Sequence, residues 1–337
     1  MNTIDHEKYS AIEVRKVSAR YPAHVSDYYR ELASSAGEPI ARQVMPDPEE
    51  ISARNDALPE DPVDEDRYSP VPNLSHRYRD RVLFLVSDRC PIFCRFCTRK
   101  RKVGRSLKVT DETISSGIDY IRDHPEIRDV LLSGGDPLML ESERLYQILA
   151  AIREIPHIEI IRIGTRVPAA LPERISFALA ELISGFTPLY IHTHFNHPAE
   201  ITSQSRNACS FLADAGIPMN NQTVLLSGIN DDTDTLEKLF RELVKMRIRP
   251  YYLFQLDAVK GTGHFSSPLI TGVRIMDELR QRTSPMALPT FVVDLPNGEG
   301  KAFPATASII DPGTQKQAVV TPEGKVVPYP DRDGPEV

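Results

Sequence analysis

Directly after an apolar run, Val82 to Val86, the chain reads Asp88-Arg89-Cys90-Pro91-Ile92-Phe93-Cys94-Arg95-Phe96-Cys97-Thr98-Arg99, so three of its four cysteines fall into one C-x3-C-x2-C loop. Three thiolates at that spacing suffice to hold three irons of one cluster. A [4Fe–4S] cluster is usually held by four cysteines, so a loop that offers three, with no fourth nearby, leaves one iron open to a non-protein ligand. A structural zinc site asks for four closed ligands, commonly from paired C-x2-C units. Neither a second pair nor a C-x2-C…H-x3-H array follows. Unrelated core thiols are the other alternative.

A chain of 337 residues is long for one ordinary domain but within the range of a single α/β barrel with additions. Its net charge of -7 argues against nucleic acid as the main partner. The apolar runs fall well short of the roughly 18 residues that span a bilayer, and Met1 to Lys8 hold no apolar signal core. The expectation is a cytoplasmic protein without a membrane partner. A reducing compartment also suits clustered thiolates that bind metal instead of pairing as disulfides.

Residues 1–75 read as an N-terminal arm. Helical signals run from Val25 to Ala33, and a Pro- and acid-rich passage follows from Pro46 to Pro72. Its Asp61-Pro62 and Ser69-Pro70-Val71-Pro72 disfavour helix, which suggests an extended segment wrapping something else, with a disordered linker as the alternative. Residues 76–290 alternate strand candidates (Val82–Val86, Val130–Leu132, Ile158–Ile163, Pro188–His194, Met219–Leu225, Pro250–Gln255) with helix candidates near 111–123, 142–155, 172–183, 200–215 and 232–247. Such alternation implies a parallel sheet with right-handed crossovers. Catalytic groups on these sheets gather at the C-terminal strand ends, and the cysteine loop lies at the end of the first. The strand count by itself leaves open a partial (β/α)6 barrel or a doubly wound sheet.

The other strand ends carry further candidates. Ser133-Gly134-Gly135-Asp136-Pro137 offers glycines that allow close backbone approach and a carboxylate for a cation, though such a turn is often only a turn. His192-Thr193-His194-Phe195-Asn196-His197 could pass for a metal site, but no carboxylate stands at ligand spacing. Gln222 points to the same end and reads equally as a buried strand polar group.

The cysteine spacing resembles that of the radical S-adenosylmethionine (SAM) enzymes, in which SAM occupies the open iron. That resemblance implies the partial (β/α)6 barrel, with Ser133, Gly134, Gly135 and Asp136 matching the motif that holds the amino group of SAM. From about Asp47 to Pro304 the chain also resembles the lysine 2,3-aminomutase family, radical SAM enzymes that carry pyridoxal phosphate (PLP). The likeness is carried by Tyr68-Ser69-Pro70-Val71-Pro72-Asn73-Leu74-Ser75-His76-Arg77-Tyr78, Arg81 to Val86, Cys97-Thr98-Arg99-Lys100-Arg101, Ser133 to Asp136, Thr193 to Pro198 and Arg249-Pro250-Tyr251-Tyr252. By position, Cys90, Cys94 and Cys97 match the cluster ligands, and His194 and Gln222 match SAM contacts. Arg77 and Arg81 match the arginines on the PLP phosphate, and Arg99 matches the arginine on the substrate carboxylate. Asp257 and Asp294 match two acids that hold a distal ammonium.

Lys301, in the segment 291–337, matches the Schiff-base lysine, although Asn297 and Glu299 interrupt the family's glycine run before it. A solvated lysine with pKa about 10.4 is neutral only about one part in 2,500 at pH 7. Its site must therefore favour the neutral amine by desolvation and nearby cations. The implied reaction moves the 2-amino group of L-lysine to C3, giving β-lysine. An arginine, ornithine or glutamate aminomutase, another radical SAM reaction, or a non-catalytic metal-binding protein are the alternatives. The resemblance also implies an electron donor such as flavodoxin or ferredoxin. Clostridial-type members add a cysteine-bearing, zinc-binding C-terminal extension; no cysteine follows Lys301 here, so the expectation is a homodimer without zinc.

Overall fold

The computed structural model describes residues 11–305, 309–310, 317–320 and 326–329. Met1 to Lys8, and most of the expected C-terminal segment beyond Ala305, lie outside the described residues. Nine strands form one sheet in the order of the sequence: β1 (Leu74–Tyr78), β2 (Arg81–Ser87), β3 (Asp129–Gly134), β4 (Ile160–Gly164), β5 (Leu189–Thr193), β6 (Met219–Leu225), β7 (Ile248–Gln255), β8 (Thr290–Asp294) and β9 (Lys301–Ala302). From β2 to β8 all pairs are parallel, while β1 and β9 close the two edges as antiparallel partners of β2 and β8. A doubly wound sheet reverses its strand order at a switch point. Here the order never reverses, which selects the open, partial barrel. Ile309–Ile310, Gln317–Val320 and Val326–Tyr329 form a separate antiparallel sheet.

Six helices cross between the parallel strands: α1 (Asp111–Asp123), α2 (Ser142–Arg153), α3 (Phe177–Ser184), α4 (Ser203–Asp214), α5 (Thr233–Lys245) and α6 (Leu269–Arg282). Thr110, Ser176, Thr202 and Asp232 cap four of them by accepting a backbone N–H of the first turn. The apolar spacing of α2 buries Leu145, Ile148, Leu149 and Ile152 on one face. The sequence reading did not include α6, and Thr290–Asp294, which straddles the boundary drawn between residues 290 and 291, is the last parallel strand. Among the described residues no helix is long and apolar enough to cross a membrane.

Side chains alternate along the strands with period two. On β3 and β4 the helix-facing residues Val130, Leu132, Ile161 and Ile163 are fully buried, whereas Asp129, Leu131, Ser133 and Arg162 are only partly so. Parallel sheets covered on both faces are apolar on both. This one has an aliphatic outer face under the helices and a polar, half-exposed inner face, which makes the inner face a lumen.

The cysteine loop is built against the N-terminal arm. Ser26 N–H donates to Pro91 O (3.0 Å), Phe93 N–H to His24 O (2.8 Å) and Arg95 N–H to Gln43 O (2.8 Å). Tyr29, Ala33, Ile40 and Val44 of the arm pack with Ile92 of the loop and Ala170. Under this contact lies Glu50, fully buried, whose carboxylate accepts Arg95 Nε (2.9 Å), Arg95 Nη2 (2.6 Å) and Lys100 Nζ (2.5 Å). Burial opposes its charge, but Lys100 and Arg95 hold its carboxyl below the ordinary carboxylate range. Burial in turn pulls Lys100 down to about 8. Further along, Arg101 pairs with Asp61 and Asp66, and Lys102 with Glu65 and Asp66, so the acid-rich passage wraps the basic end of the loop. Removing one partner of a buried ion pair costs about 3–5 kcal/mol. Glu50→Gln should therefore lower the unfolding free energy of the apoprotein by about that amount, read as a fall in its urea midpoint, while Asp119→Asn in the exposed Asp119–Arg122 pair leaves the midpoint in place.

Candidate active site

Cys90, Cys94 and Cys97 leave the end of β2 together, and the end of β3 presses directly on their loop. A Cβ on Gly134 would stand 2.3 Å from Ser87 O, and one on Gly135 would stand 2.2 Å from Arg89 O. Any side chain at either position would push the loop off the strand, and Gly134 also holds φ at 132°. Burial raises the Cys90 thiol well above its usual value and pushes Cys97 to about 11, with neighbouring thiols adding to both. Thiols crowded in this way ionise readily only when a cation joins them, and three sulfurs are the donor chemistry of the cluster expected there, although among the described residues no three such side chains are gathered closely enough to hold a single metal ion. Cys94 Sγ already accepts a hydrogen bond from Arg166 Nη1 (2.7 Å).

Among the described residues, the buried polar atoms beside the loop without a hydrogen-bond partner include His194 Nε2 and Arg166 Nε. Both side chains border Phe96 of the cysteine loop, with ring centres 5.7 Å apart for His194 and the Arg166 Cζ 5.2 Å from the Phe96 ring. Burial, followed by Arg166, pushes His194 down to about 3, so its imidazole is neutral at physiological pH. Orphaned buried groups next to an open iron site fit a polar ligand such as SAM. Asp136 behaves differently from the cation partner expected of it. Its buried carboxylate accepts Thr165 Oγ1 (2.8 Å), Arg166 N (2.7 Å) and Leu138 N (3.0 Å), and burial still raises it to about 6. In this structure it ties β3 to the end of β4. Ser133 lies on the lumen face of β3, and Gln222 Nε2 reaches His192 Nδ1 at 3.5 Å.

At the open seam of the sheet the hairpin β8–β9 sets Asp294 and Lys301 directly opposite each other. Its turn runs through Asn297 at φ 58°, a conformation asparagine tolerates, so the interruption of the glycine run does not block the turn. Lys301 Nζ donates to Asp294 Oδ2 (2.5 Å), and Arg77 Nη2, arriving from β1, donates to Asp294 Oδ1 (3.0 Å). Lys301 Nζ also lies 4.8 Å from the Phe254 ring centre. Arg77 and Arg81 both stack on Tyr78, at 4.9 Å and 4.2 Å, but Arg81 is half-exposed and pairs with Asp80. An amine that shares Asp294 with Arg77 against an aromatic wall fits the PLP lysine and one phosphate partner, with Tyr78 linking that arginine to Arg81. Asp257 accepts Thr98 Oγ1 (3.0 Å), and burial together with the charge of Asp294 raises it to about 7.

Arg99 is already engaged within the chain. Its Nε and Nη2 both lie 2.8 Å from Glu65 Oε2, so the edge expected to grip a substrate carboxylate is held by the chain's own Glu65. Burial would raise that glutamate, yet Arg99 and Lys102 pull it down to about 2. The sequence reading also missed Arg166, Glu200, Tyr78 and the lumen pair Arg162–Asp129 (2.7 Å). One usable signal was present: the run Arg99-Lys100-Arg101-Lys102 is matched by Asp61, Glu65 and Asp66 upstream.

Residues 84–240 match the Radical SAM superfamily. The chain is 44% identical over 312 residues to L-lysine 2,3-aminomutase of Acetoanaerobium sticklandii, covering 92% of this chain and 75% of that one. It is 45% identical over 308 residues to L-lysine 2,3-aminomutase of Clostridium subterminale, covering 90% and 74%. Over 327 residues it is 38% identical to glutamate 2,3-aminomutase of Clostridioides difficile, covering 96% and 77%. Likeness of this depth over nearly the whole chain, with a sheet whose order suits the same architecture, means that the chain belongs to the lysine 2,3-aminomutase family of radical SAM proteins.

Proposed function

We propose that this chain is an isomerase that moves the 2-amino group of L-lysine to C3, and the observation that carries the reading is the pair Asp257 and Asp294 beside Lys301. Asp257 is held near neutrality by burial and by Asp294. Lys301 and Arg77 offset the charge of Asp294 in this structure, and an ammonium placed between Asp294 and Asp257 would relieve the repulsion that remains between them. The side-chain carboxylate of glutamate would instead add a third anion, at a penalty of several kcal/mol. Lysine is thus favoured over glutamate, the other substrate named among the relatives.

In this reading Cys90, Cys94 and Cys97 hold a [4Fe–4S] cluster. Ser133, Gly134, Gly135, Asp136, His194 and Gln222 line the place of SAM, and Lys301, Arg77 and Arg81 hold PLP. When bound, these groups supply radical generation and stabilisation of the migrating amine. The chain's own residues position and exclude water. Arg77 orients and partly neutralises Asp294, Tyr78 spaces the two arginines, and Phe254 desolvates the Lys301 amine. A substrate carboxylate reaching Arg99 shares it with Glu65 or displaces it. The reading further entails a flavodoxin- or ferredoxin-type electron donor, a homodimer and a cytoplasmic setting.

Two measurements test this. Under anaerobic conditions with SAM, PLP and dithionite, the protein should convert L-lysine to its 3-amino isomer. Asp257→Asn should lower kcat/KM for lysine by roughly 10²–10³-fold with PLP absorbance retained. Asp257 is the cleaner probe, since Asp294 also holds Lys301 and Arg77. Near-normal turnover in that variant, or turnover of glutamate in preference to lysine, would reject the assignment. The second measurement concerns pH. Because the folded-state value of Asp257 lies above the ordinary one, its contribution to stability is intact at low pH and is lost as pH rises from about 4 through about 7. In apoprotein urea titrations the midpoint of Asp257→Asn, relative to the parent, should climb across that window and then level off; a flat difference would place Asp257 in an unperturbed setting.

A further inference from the structure

Arg166, just past β4, is buried, and its partners come from three separate parts of the chain. Nη1 donates to Cys94 Sγ (2.7 Å), and Nη2 donates to Gln43 Oε1 (2.5 Å), Glu200 Oε1 (2.8 Å) and the Tyr29 hydroxyl (3.2 Å). Its backbone N–H is fixed by Asp136 (2.7 Å), and its guanidinium lies 5.2 Å from the Phe96 ring centre. Tyr29 in turn donates to Glu200 Oε1 (2.8 Å), and Asn196 Nδ2 donates to Gln43 Oε1 (3.1 Å), so the three partners of Nη2 are themselves held. Tyr29 and Gln43 belong to the N-terminal arm, which already carries the backbone of the cysteine loop.

We propose that Arg166 is a positioning residue that sets the reduction potential of the iron–sulfur centre through its N–H···S bond to Cys94, and that the N-terminal arm sets Arg166. The inference rests on the reading of Cys90, Cys94 and Cys97 as cluster ligands. Reduction adds a negative charge to the centre. A hydrogen-bond donor and a desolvated cation on one ligand sulfur stabilise the reduced state more than the oxidised one, and so raise the potential. Glu200 offsets part of that cationic charge from the Nη2 side.

The test is the midpoint potential of the anaerobically reconstituted full chain, followed by electron paramagnetic resonance beside iron and sulfide analysis. Arg166→Gln should load the cluster yet show a reduced-to-oxidised ratio at least tenfold lower at fixed ambient potential, a shift of about 59 mV for one electron. Arg166→Lys, which keeps the charge without the fork, should fall less. Glu200→Gln should shift in the opposite direction, an outcome that mere loosening of the loop would not produce. An unchanged potential in a fully loaded Arg166→Gln overturns the proposal. If that variant takes up no iron, Tyr29→Phe decides: it leaves the donor to Cys94 in place and removes one anchor of the guanidinium. A twofold or greater fall supports the arm's role, and no shift overturns it. A parent protein that binds no four-iron cluster overturns the reading of the cysteine loop itself, and iron analysis of the parent tells this failure from the other.

Discussion

A carboxylate with no access to water holds the centre of this protein together. Glu50 would be intolerable where it lies without Arg95 and Lys100, and those two cations would be equally costly without Glu50. The three are mutually dependent, and of the two cations one stands between Cys94 and Cys97 and the other just past Cys97. The local order of the loop is therefore imposed from a distance of about fifty positions in the chain, by the arm, through charge that has nowhere else to go. Lys100 also donates to Arg95 O and Gly261 O, which joins the arm and the cysteine loop to the loop after β7.

Around that anchor the sheet divides labour between its faces. The outer face does the folding: Phe84, Val130, Leu132, Ile161, Ile163 and Ile191 sit with the helices in one continuous apolar cluster. The inner face contributes little to that cluster and is free to carry charge. Arg162 and Asp129 pair there, Tyr251 and Tyr252 lie with ring centres 3.9 Å apart, and His192 is kept neutral by burial at about 4. At the seam, Arg77 of β1 meets Asp294 of β8, so the two ends of the sheet face each other through side chains.

How much of this was legible in the sequence follows from the range of each interaction. The strands β2 to β5 and β7 declare themselves by apolar runs and the cysteine spacing by its own arithmetic, whereas β6 carries Asn220, Asn221 and Gln222 between apolar ends, and the hairpin that sets Asp294 against Lys301 was not anticipated. The amphipathic stretch of α6 begins at an apolar Leu269 without a capping residue and so lacked punctuation, whereas β8, an apolar run between Pro289 and Pro296, was overlooked because the domain boundary was drawn through it. Arg166 was illegible for another reason. Its partners lie 34, 72, 123 and 137 positions away, and a lone arginine after a strand carries no local mark of them. Arg99 shows the converse, since position-matching supplied an expected partner but could not reveal that Glu65 already holds it.

The contact between Gly134, Gly135 and the backbone at Ser87 and Arg89 has a consequence for how such a chain changes over generations. Both positions are closed to substitution by the nearness of one strand end to another, with no ligand required to explain it. A duplicated copy that drifted away from its chemistry, losing lysine or acids at the seam, would still retain the glycine pair for as long as it kept the cysteine loop in place. In descendants of this fold that motif is inherited with the scaffold, whereas the charges at the seam are free to diverge.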